Sequence, residues 1–420
     1  MKDLEHLEIE QSDQTAMRAM EERGSSSDLV CYLIQEWDIL PRRPHLTALA
    51  QYSRVLLVQV PLTIDSPLRK PRKFLRWLTG RDRLRQISQS LFIARPLALV
   101  PYGVSFRYPW LRRANEWLMN RSIRSMTRRL GLQVKAAFIF DPAQEFLIGK
   151  ANEELLCYEI VDQYANYPGV SAVQREQIIR EEQVLLQRAD IVFVPNSGFL
   201  QEKSRSRSHT YVISNTADAD LFATTQNPDT LVPDDLENIS EPRIGYIGNL
   251  NDLVDCDLLN HISANHPDWS FVLLGRVDGT QVFRDSGSFK TLMRRPNVHF
   301  LGWRDYALLP KYLKGFSVCM VPWVNNHFTL LHQPNKLFQY LGGGKPVVST
   351  ALPQINALND EIDHMIGVAE TYEAFEELIA VALASNEDHD VVQERMRVAR
   401  IYSAENMARE RIRRISEYRA

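Results

Sequence analysis

Four cysteines in 420 residues (Cys31, Cys157, Cys256 and Cys319) are too few and too scattered for a disulfide framework or a metal-ligand spacing. A reducing, cytoplasmic setting is the expectation. Long apolar runs are also missing. The least polar stretch, 90–106, is broken by Arg95 and two prolines, and nothing approaches the roughly 18 residues of a spanning helix. The opening MKDLEHLEIEQSDQ is acidic and has no signal-peptide core. No repeat or low-complexity segment occurs. Acid is scarce in one place: between Ser66 and Leu130 only Asp82 and Glu116 face sixteen Lys and Arg, a local balance of +14 in a chain of net charge -3.

That basic zone implies an anionic partner. Its stretch RKPRKFLRWLTGRDRLR, Arg69–Arg85, interleaves Phe74, Leu75, Trp77 and Leu78 with the charges. Two readings stay open, a solvated basic helical face and a surface that lies on anionic lipid headgroups. Nucleic acid is not expected, because no recognised binding motif accompanies the charge.

A 45% hydrophobic composition allows a large core and two domains. Strand-like runs alternate with helical stretches, which argues for α/β architecture with parallel sheets. In the first half these runs are Leu29–Ile34, Arg54–Val60, Ala136–Phe140, Leu155–Ile160, Ile191–Val194 and Thr210–Ile213, with helices from Pro44 and over Ser171–Arg188. The polar, acidic, Pro-rich stretch 224–242 reads as a linker. Beyond it come Arg243–Ile247, Ser270–Leu274, Val298–Leu301, Ser317–Val321 and Val347–Val348, then a helical tail from about Thr371. The expected division is a mobile tail at 1–27, a first domain at 28–223, the linker, a second domain at 243–400 and a final helix at 401–420. Two such domains usually take their ligand at the carboxyl ends of the strands.

The stretch PNKLFQYLGGGKPVVST, Pro334–Thr350, looks at first like a phosphate loop. A P-loop needs Ser or Thr directly after Gly-Lys and runs strand, loop, helix. Here Pro346 follows Lys345, and the order is helix, glycines, strand, so the glycines are a helix end. A phosphate-binding group would sit at the other end, at Gln333–Asn335 with Lys336 in the first turn. Gly245 and Gly248 lie around one strand end, and Gly275-Arg276 closes another with a guanidinium.

Together these stretches resemble a known family. GYIGNLNDLVDCDLL, PDWSFVLLGR, NVHFLGWRDYALLPKYL, VCMVPW and PNKLFQYLGGGKPVVST are similar to the donor domain of GT-B-fold glycosyltransferases of the family 4-like group, glycosyl transferases group 1. CYLIQEWDILPRRPHLTAL, YEIVDQYANYPG, ADIVFVPNSGFLQEK and VISNTADADLF are similar to its first half. The resemblance covers about 29–420. It implies two Rossmann-like parallel-sheet domains that face across a cleft, the first for acceptor and the second for a nucleotide sugar. IYSAENMARERIRRI would be a C-terminal helix that crosses back. No resident cofactor and no metal are implied.

The resemblance also assigns roles. Arg276, Lys336 and the backbone around Gln333, Pro334 and Asn335 would hold the leaving diphosphate, with Gly248 beside them. Gly302, Trp303 and Arg304 would hold the base, with packing as the plain alternative for Trp303. The family carries a Glu at the position of Gln339, for the ribose hydroxyls, and another at the position of Leu331. No Glu occurs between Glu241 and Glu361, a departure expected to weaken donor binding because charged hydrogen bonds are the stronger ones.

On the acceptor side Asp162 follows a strand and matches a position beside the donor sugar. It would be a base if the reaction inverts, a positioning group if it retains, or merely a turn cap. Glu36 and Asp38 are alternative carboxylates. Arg42 and Arg43 would reach the diphosphate or stand in solvent, and His45 reads as a helix-start residue rather than a base. The expected function is transfer of a sugar, from a UDP-sugar by default, to a carbohydrate or polyprenyl-linked glycan in polysaccharide assembly. A non-catalytic nucleotide-sugar-binding or scaffolding protein on the same fold is the alternative, and a sugar epimerase a third. Peripheral attachment to the inner face of the cytoplasmic membrane, through Arg69–Arg85, is a further expectation.

Overall fold

Short runs rich in Val, Ile and Leu become the strands, as expected for sheets covered on both faces. The computed structural model describes residues 28–33, 35–40, 42–63, 71–80, 82–100, 108–203, 209–385 and 388–418. The expected tail at 1–27, and Arg69, Lys70, Arg81 and Arg107 of the basic zone, lie outside the described residues.

One sheet comprises β1 (Asp28–Tyr32), β2 (Arg54–Val58), β3 (Leu84–Gln86), β4 (Leu91–Ala94), β5 (Val134–Ile139), β6 (Leu155–Glu159), β7 (Ile191–Val194) and β8 (Thr210–Val212), in the order β3-β4-β2-β1-β5-β6-β7-β8. Only the short β3 is seen to pair antiparallel, with β4. The other sheet has β9 (Arg243–Ile247), β10 (Ser270–Leu274), β11 (Val298–Phe300), β12 (Val318–Val321), β13 (Val347–Thr350) and β14 (Ile366–Ala369), in the order β11-β10-β9-β12-β13-β14. Every pair in it is parallel. This is the predicted α/β architecture with two parallel sheets.

The chain divides into two compact units. Among the described residues, one holds those within 28–40, Leu49–Ile139 and Phe146–Leu156, the other those within Pro41–Ala48, Phe140–Glu145 and Cys157–Ala420.

In the larger unit the helix Ala172–Arg188 starts where the sequence placed it. Ser171 and Gln174 form a reciprocal capping box that satisfies two orphan amides. The triple glycine is a helix end, not a phosphate loop. The helix Lys336–Gly342 closes as Lys345 N donates to Tyr340 O and Gly344 N to Leu341 O, with Gly344 at φ +73°. That is a Schellman end, and the positive φ is why glycine stands there.

The last helix, Ala404–Glu417, is anchored by charge. Arg411, 1% exposed, donates to both carboxylate oxygens of Glu159 at 2.8 and 2.9 Å. Arg42 reaches the same carboxylate at 2.9 Å. Burial alone would raise the Glu159 carboxyl, but Arg411 and Arg42 outweigh it and hold it well below the usual carboxylate range. The C-terminal helix is thereby fastened to the end of β6, the return the resemblance implied.

Candidate active site

The carboxyl ends of β9 to β12 carry the groups singled out in the second half. Just past β9, Gly248 has φ +152°, and a Cβ built there would stand 2.9 Å from Lys336 Nζ. Backbone and ammonium therefore close on one another only because the side chain is a hydrogen. Gly245, within β9, serves a different purpose. Its missing Cβ admits the Phe316 ring, 2.0 Å from the position a Cβ would take. It is a packing residue.

Lys336 is partly buried between two aromatic faces, with Nζ 4.2 Å from the Trp323 centroid and 4.6 Å from that of Tyr246. It donates to the Tyr246 hydroxyl at 3.2 Å and has no carboxylate within ion-pair distance among the described residues. Burial pushes its ammonium down to about 7. A cation kept without a counter-ion at a strand end is poised for an anion.

Arg276 stands exposed after β10, its guanidinium 4.9 Å from the centroid of Trp303, which is 52% exposed. The candidate for the diphosphate and the candidate for the base thus stand side by side. Gly302, at φ +71°, turns the backbone just before them. Arg304 points elsewhere: it donates to Tyr312 Oη at 2.7 Å and pairs with Asp235 at 2.5 Å.

Around the opening of the helix, Gln333 is 6% exposed and clamped. Ser214 donates to its side-chain oxygen at 3.0 Å and Asn215 to its backbone carbonyl at 2.6 Å. Pro334 is buried beside it and Asn335 is exposed. Gln339, where the resemblance implies Glu, hydrogen-bonds the Tyr306 hydroxyl, with the Arg43 charge close to the same ring.

Asp162 lies three residues past β6. Its carboxylate accepts from Tyr167 Oη and from Gln163 N at 2.9 Å, and meets His332 Nδ1 at 3.1 Å. Burial alone would raise the Asp162 carboxyl. The His332 charge and the hydrogen bonds from His332, Tyr167 and Gln163 hold it below the usual carboxylate range. The ring of His332 stands edge-on to Trp323, at a centroid distance of 5.0 Å. Asp162, His332, Trp323 and Lys336 are therefore linked in series.

Other first-half candidates have charged or polar partners of their own. Arg42 is held by Glu159. His45, 9% exposed, shares a hydrogen bond of 2.9 Å with Thr216, and burial followed by the charges of Arg411 and Arg42 pushes its imidazole well down. In the smaller unit Glu36 lies 3.7 Å from Arg95 and Asp38 3.6 Å from Arg85. Sequence reasoning missed His332, Tyr167, Tyr246, Trp323 and Phe328. The available signal was an aromatic residue at or just after the carboxyl end of a strand, at Tyr246 beside Gly245 and at Trp323 two residues past β12.

Among the described residues no group of three or more His, Cys, Asp or Glu gathers to hold a metal ion.

Comparison with known proteins shows what this arrangement is similar to. Residues 241–385 match the family described as glycosyl transferases group 1. A protein of Bacillus subtilis (strain 168), provisionally named the teichuronic acid biosynthesis glycosyltransferase TuaH, is 28% identical over 194 residues, 45% of this chain and 47% of that protein. The chain thus matches about half the length of that curated relative. Among solved structures, a sucrose-phosphate synthase from Thermosynechococcus elongatus superposes with a TM-score of 0.66 at 15% identity, covering 92% of this chain and 98% of that one. Anabaena HepE in complex with UDP gives a TM-score of 0.60 at 12% identity, covering 93% of this chain and 100% of that one. At such identities the likeness is one of fold. Residues 241–385 thus match group 1 glycosyl transferases, in a chain whose fold is that of these solved structures.

Proposed function

We propose that the protein transfers a sugar from a nucleoside-diphosphate sugar, with UDP as the nucleotide, to a carbohydrate or lipid-linked glycan in polysaccharide assembly. The observation that carries this reading is Lys336, a cation without a carboxylate partner among the described residues, closed against the backbone of Gly248 at the end of β9. When the bond to the sugar breaks, negative charge grows on the leaving diphosphate. An ammonium already fixed in a partly dry site stabilises that charge without reorganisation. Arg276 supplies a second cation on a more exposed perch, and Trp303 beneath it offers a flat face for the base. Protein cations rather than a metal carry the charge in this reading. The complex of HepE with UDP and the name of the Bacillus protein support the choice of nucleotide and of pathway class.

Release of nucleoside diphosphate from UDP-, GDP-, ADP- and CDP-sugars tests the reading, with Lys336→Ala as the control. Turnover with one donor that falls at least about a hundredfold in the variant supports it. A site that binds nucleotide but releases no sugar favours the scaffolding alternative.

A membrane partner has its own support in the smaller unit. On the helix Pro71–Leu78, Leu75 and Leu78 are 62% and 50% exposed between arginines. On the helix Pro109–Arg129, Trp110 and Trp117 are 67% and 62% exposed. Trp77 departs from the expectation. It turns inward and donates to Arg95 O at 3.0 Å, with Arg83 stacked on its face. Among the described residues no helix is long and apolar enough to cross a membrane. Apolar side chains set in a field of arginines suit a surface that lies on anionic headgroups.

A further inference from the structure

We propose that Tyr167, with Tyr164 and Asp141, forms a subsite for an uncharged sugar ring, the glycosyl residue of the acceptor to which the new sugar is added. This rests on the transferase reading above and names the chemical class of its acceptor.

The sequence builds an aromatic plate there. Tyr167-Pro168-Gly169-Val170 closes a turn in which Val170 N donates to Tyr167 O at 3.2 Å. Proline second and glycine third, at φ +85°, are what a type II turn favours. The turn leaves Tyr167 38% exposed. The ring is nonetheless fixed in place. Its hydroxyl donates to Asp162, Phe328 packs on it at 4.8 Å, and Tyr164 stacks beside it at 5.8 Å. Tyr164 is held in turn, its hydroxyl donating to Phe140 O at 3.3 Å. A pyranose carries C–H bonds on its faces and hydroxyls on its rim. An exposed but immobile tyrosine meets such a face at little entropic cost.

The polar groups beside the plate select against charge. Asp141 precedes the turn Pro142–Leu147 after β5, and its charge acts on both tyrosines. One carboxylate oxygen accepts from Ala143 N at 2.8 Å, and the other has no hydrogen-bond partner among the described residues. Burial pushes this carboxyl up, with only the Ala143 amide acting against it. In the same turn the side-chain oxygen of Gln144 is buried and has no partner among the described residues. Acceptors shut away from water without a donor cost free energy. Sugar hydroxyls supply donors, whereas a phosphate or carboxylate brings only more acceptors and like charge. Arg42, whose guanidinium lies 5.5 Å from the Phe140 centroid, is already paired with Glu159.

Order along the site gives this ring to the acceptor. From Lys336, assigned to the diphosphate, contacts run through Trp323 to His332 and Asp162, and only then to Tyr167 and Tyr164. The donor sugar is joined to the diphosphate and takes the nearer groups. Tyr167 and Asp141, past the ends of β6 and β5, take what lies beyond it. An enzyme with this subsite extends a glycan already begun, so a separate transferase must have attached the first sugar to its carrier.

The test uses the full chain saturated with UDP, whose binding is measured by calorimetry. Methyl glycosides of glucose, galactose, mannose and N-acetylglucosamine, in both anomers, are screened by saturation-transfer NMR. Methyl glucuronoside and farnesyl phosphate serve as charged probes. At least one neutral glycoside should bind, with both charged probes at least about tenfold weaker. Tyr167→Leu should weaken that glycoside at least about tenfold, and Tyr167→Phe, which keeps the plate, only a few-fold. Asp141→Asn should narrow the preference over the glucuronoside. UDP affinity and melting temperature should hold in all three variants. UDP binding with no neutral glycoside bound, a charged probe bound in preference, or a glycoside indifferent to Tyr167→Leu would each overturn the subsite. Weaker binding of UDP-glucose, but not of UDP, to Tyr167→Leu would give the ring to the donor sugar and overturn the acceptor assignment. No UDP binding by the wild type would overturn the transferase reading, and the subsite with it.

Discussion

Lys336 is buried at a cost to its ammonium form, and that cost is measurable. In the folded chain it titrates near 7 instead of its ordinary 10.5. Between those values the unfolded chain holds a proton that the folded one has released, so stability rises with pH across that window. Lys336 is therefore least favourable to the empty protein below pH 7, and its penalty fades as pH approaches 10.5. Lys336→Met should raise the melting temperature of the ligand-free protein more at pH 6.5 than at pH 9.5. Equal shifts at both would show that the lysine is not desolvated. Bound UDP should recharge it, so calorimetry at pH 8.5 in buffers of different ionisation enthalpy should show uptake of up to one proton. Glu159 presents the opposite case, a buried carboxylate with two arginines. Removing one partner of a buried pair typically costs about 3–5 kcal/mol, and Arg411→Met should show a loss of that order in urea unfolding. A loss under about 0.5 kcal/mol, the scale of ordinary surface substitutions, would mean that the last helix is not fastened there. At this scale the sequence was partly legible. Lys336, Asp162, Arg276 and Trp303 stand out by their places after strands and in motifs. His332 does not, because its partner lies 170 positions away and the fold alone joins them. Arg42 likewise reads as a candidate diphosphate ligand until Glu159 is seen beneath it.

The elements were legible wherever several apolar residues run together. Eleven of the strands follow such runs. β4 has only LFIA within an arginine-rich stretch, and β14 only IGVA, too short to stand out from a helix fragment. β3, the sequence LRQ, owes its state to pairing with β4 rather than to its own residues. The glycine end of the helix Lys336–Gly342 could be read because Pro346 forbids the P-loop and the helical period precedes it. Its energetics separate two kinds of glycine. Gly344→Ala must hold a Cβ at φ +73°, 2.6 Å from Val392 Cγ1. It should cost at least the roughly 1–2 kcal/mol of a left-handed residue, read as a lowered urea midpoint. Gly287→Ala, at a position with nothing within 4 Å, should be neutral or slightly stabilising. Equal losses at both would contradict the cap.

At the scale of the whole molecule, charge is distributed unevenly, and the basic zone between Ser66 and Leu130 belongs to the smaller unit. If its exposed Leu75, Leu78, Trp110 and Trp117 meet a membrane, the protein should co-sediment with phosphatidylglycerol vesicles at low salt. Binding should weaken as salt rises, and a Trp110→Ser/Trp117→Ser variant should lose several-fold in affinity while its melting temperature holds. Indifference to such vesicles would leave the arginines as a solvated face. The two-sheet α/β plan was readable because parallel strands alternate with helices in a fixed order. The grouping of Cys157–Ala420 into one unit was not, since it depends on contacts such as Asn215 to Gln333 and Arg411 to Glu159 that no local pattern announces.

The central claim is a nucleoside diphosphate held at Lys336, and thermal stabilisation by UDP, GDP, ADP and CDP, each with and without excess chelator, tests it most directly. At 100 times its dissociation constant a ligand adds about 2.7 kcal/mol, a plain rise in melting temperature. The account predicts such a rise with UDP, unaffected by chelator and abolished in Lys336→Ala. No rise with any nucleotide, or a rise that survives the substitution, would contradict it.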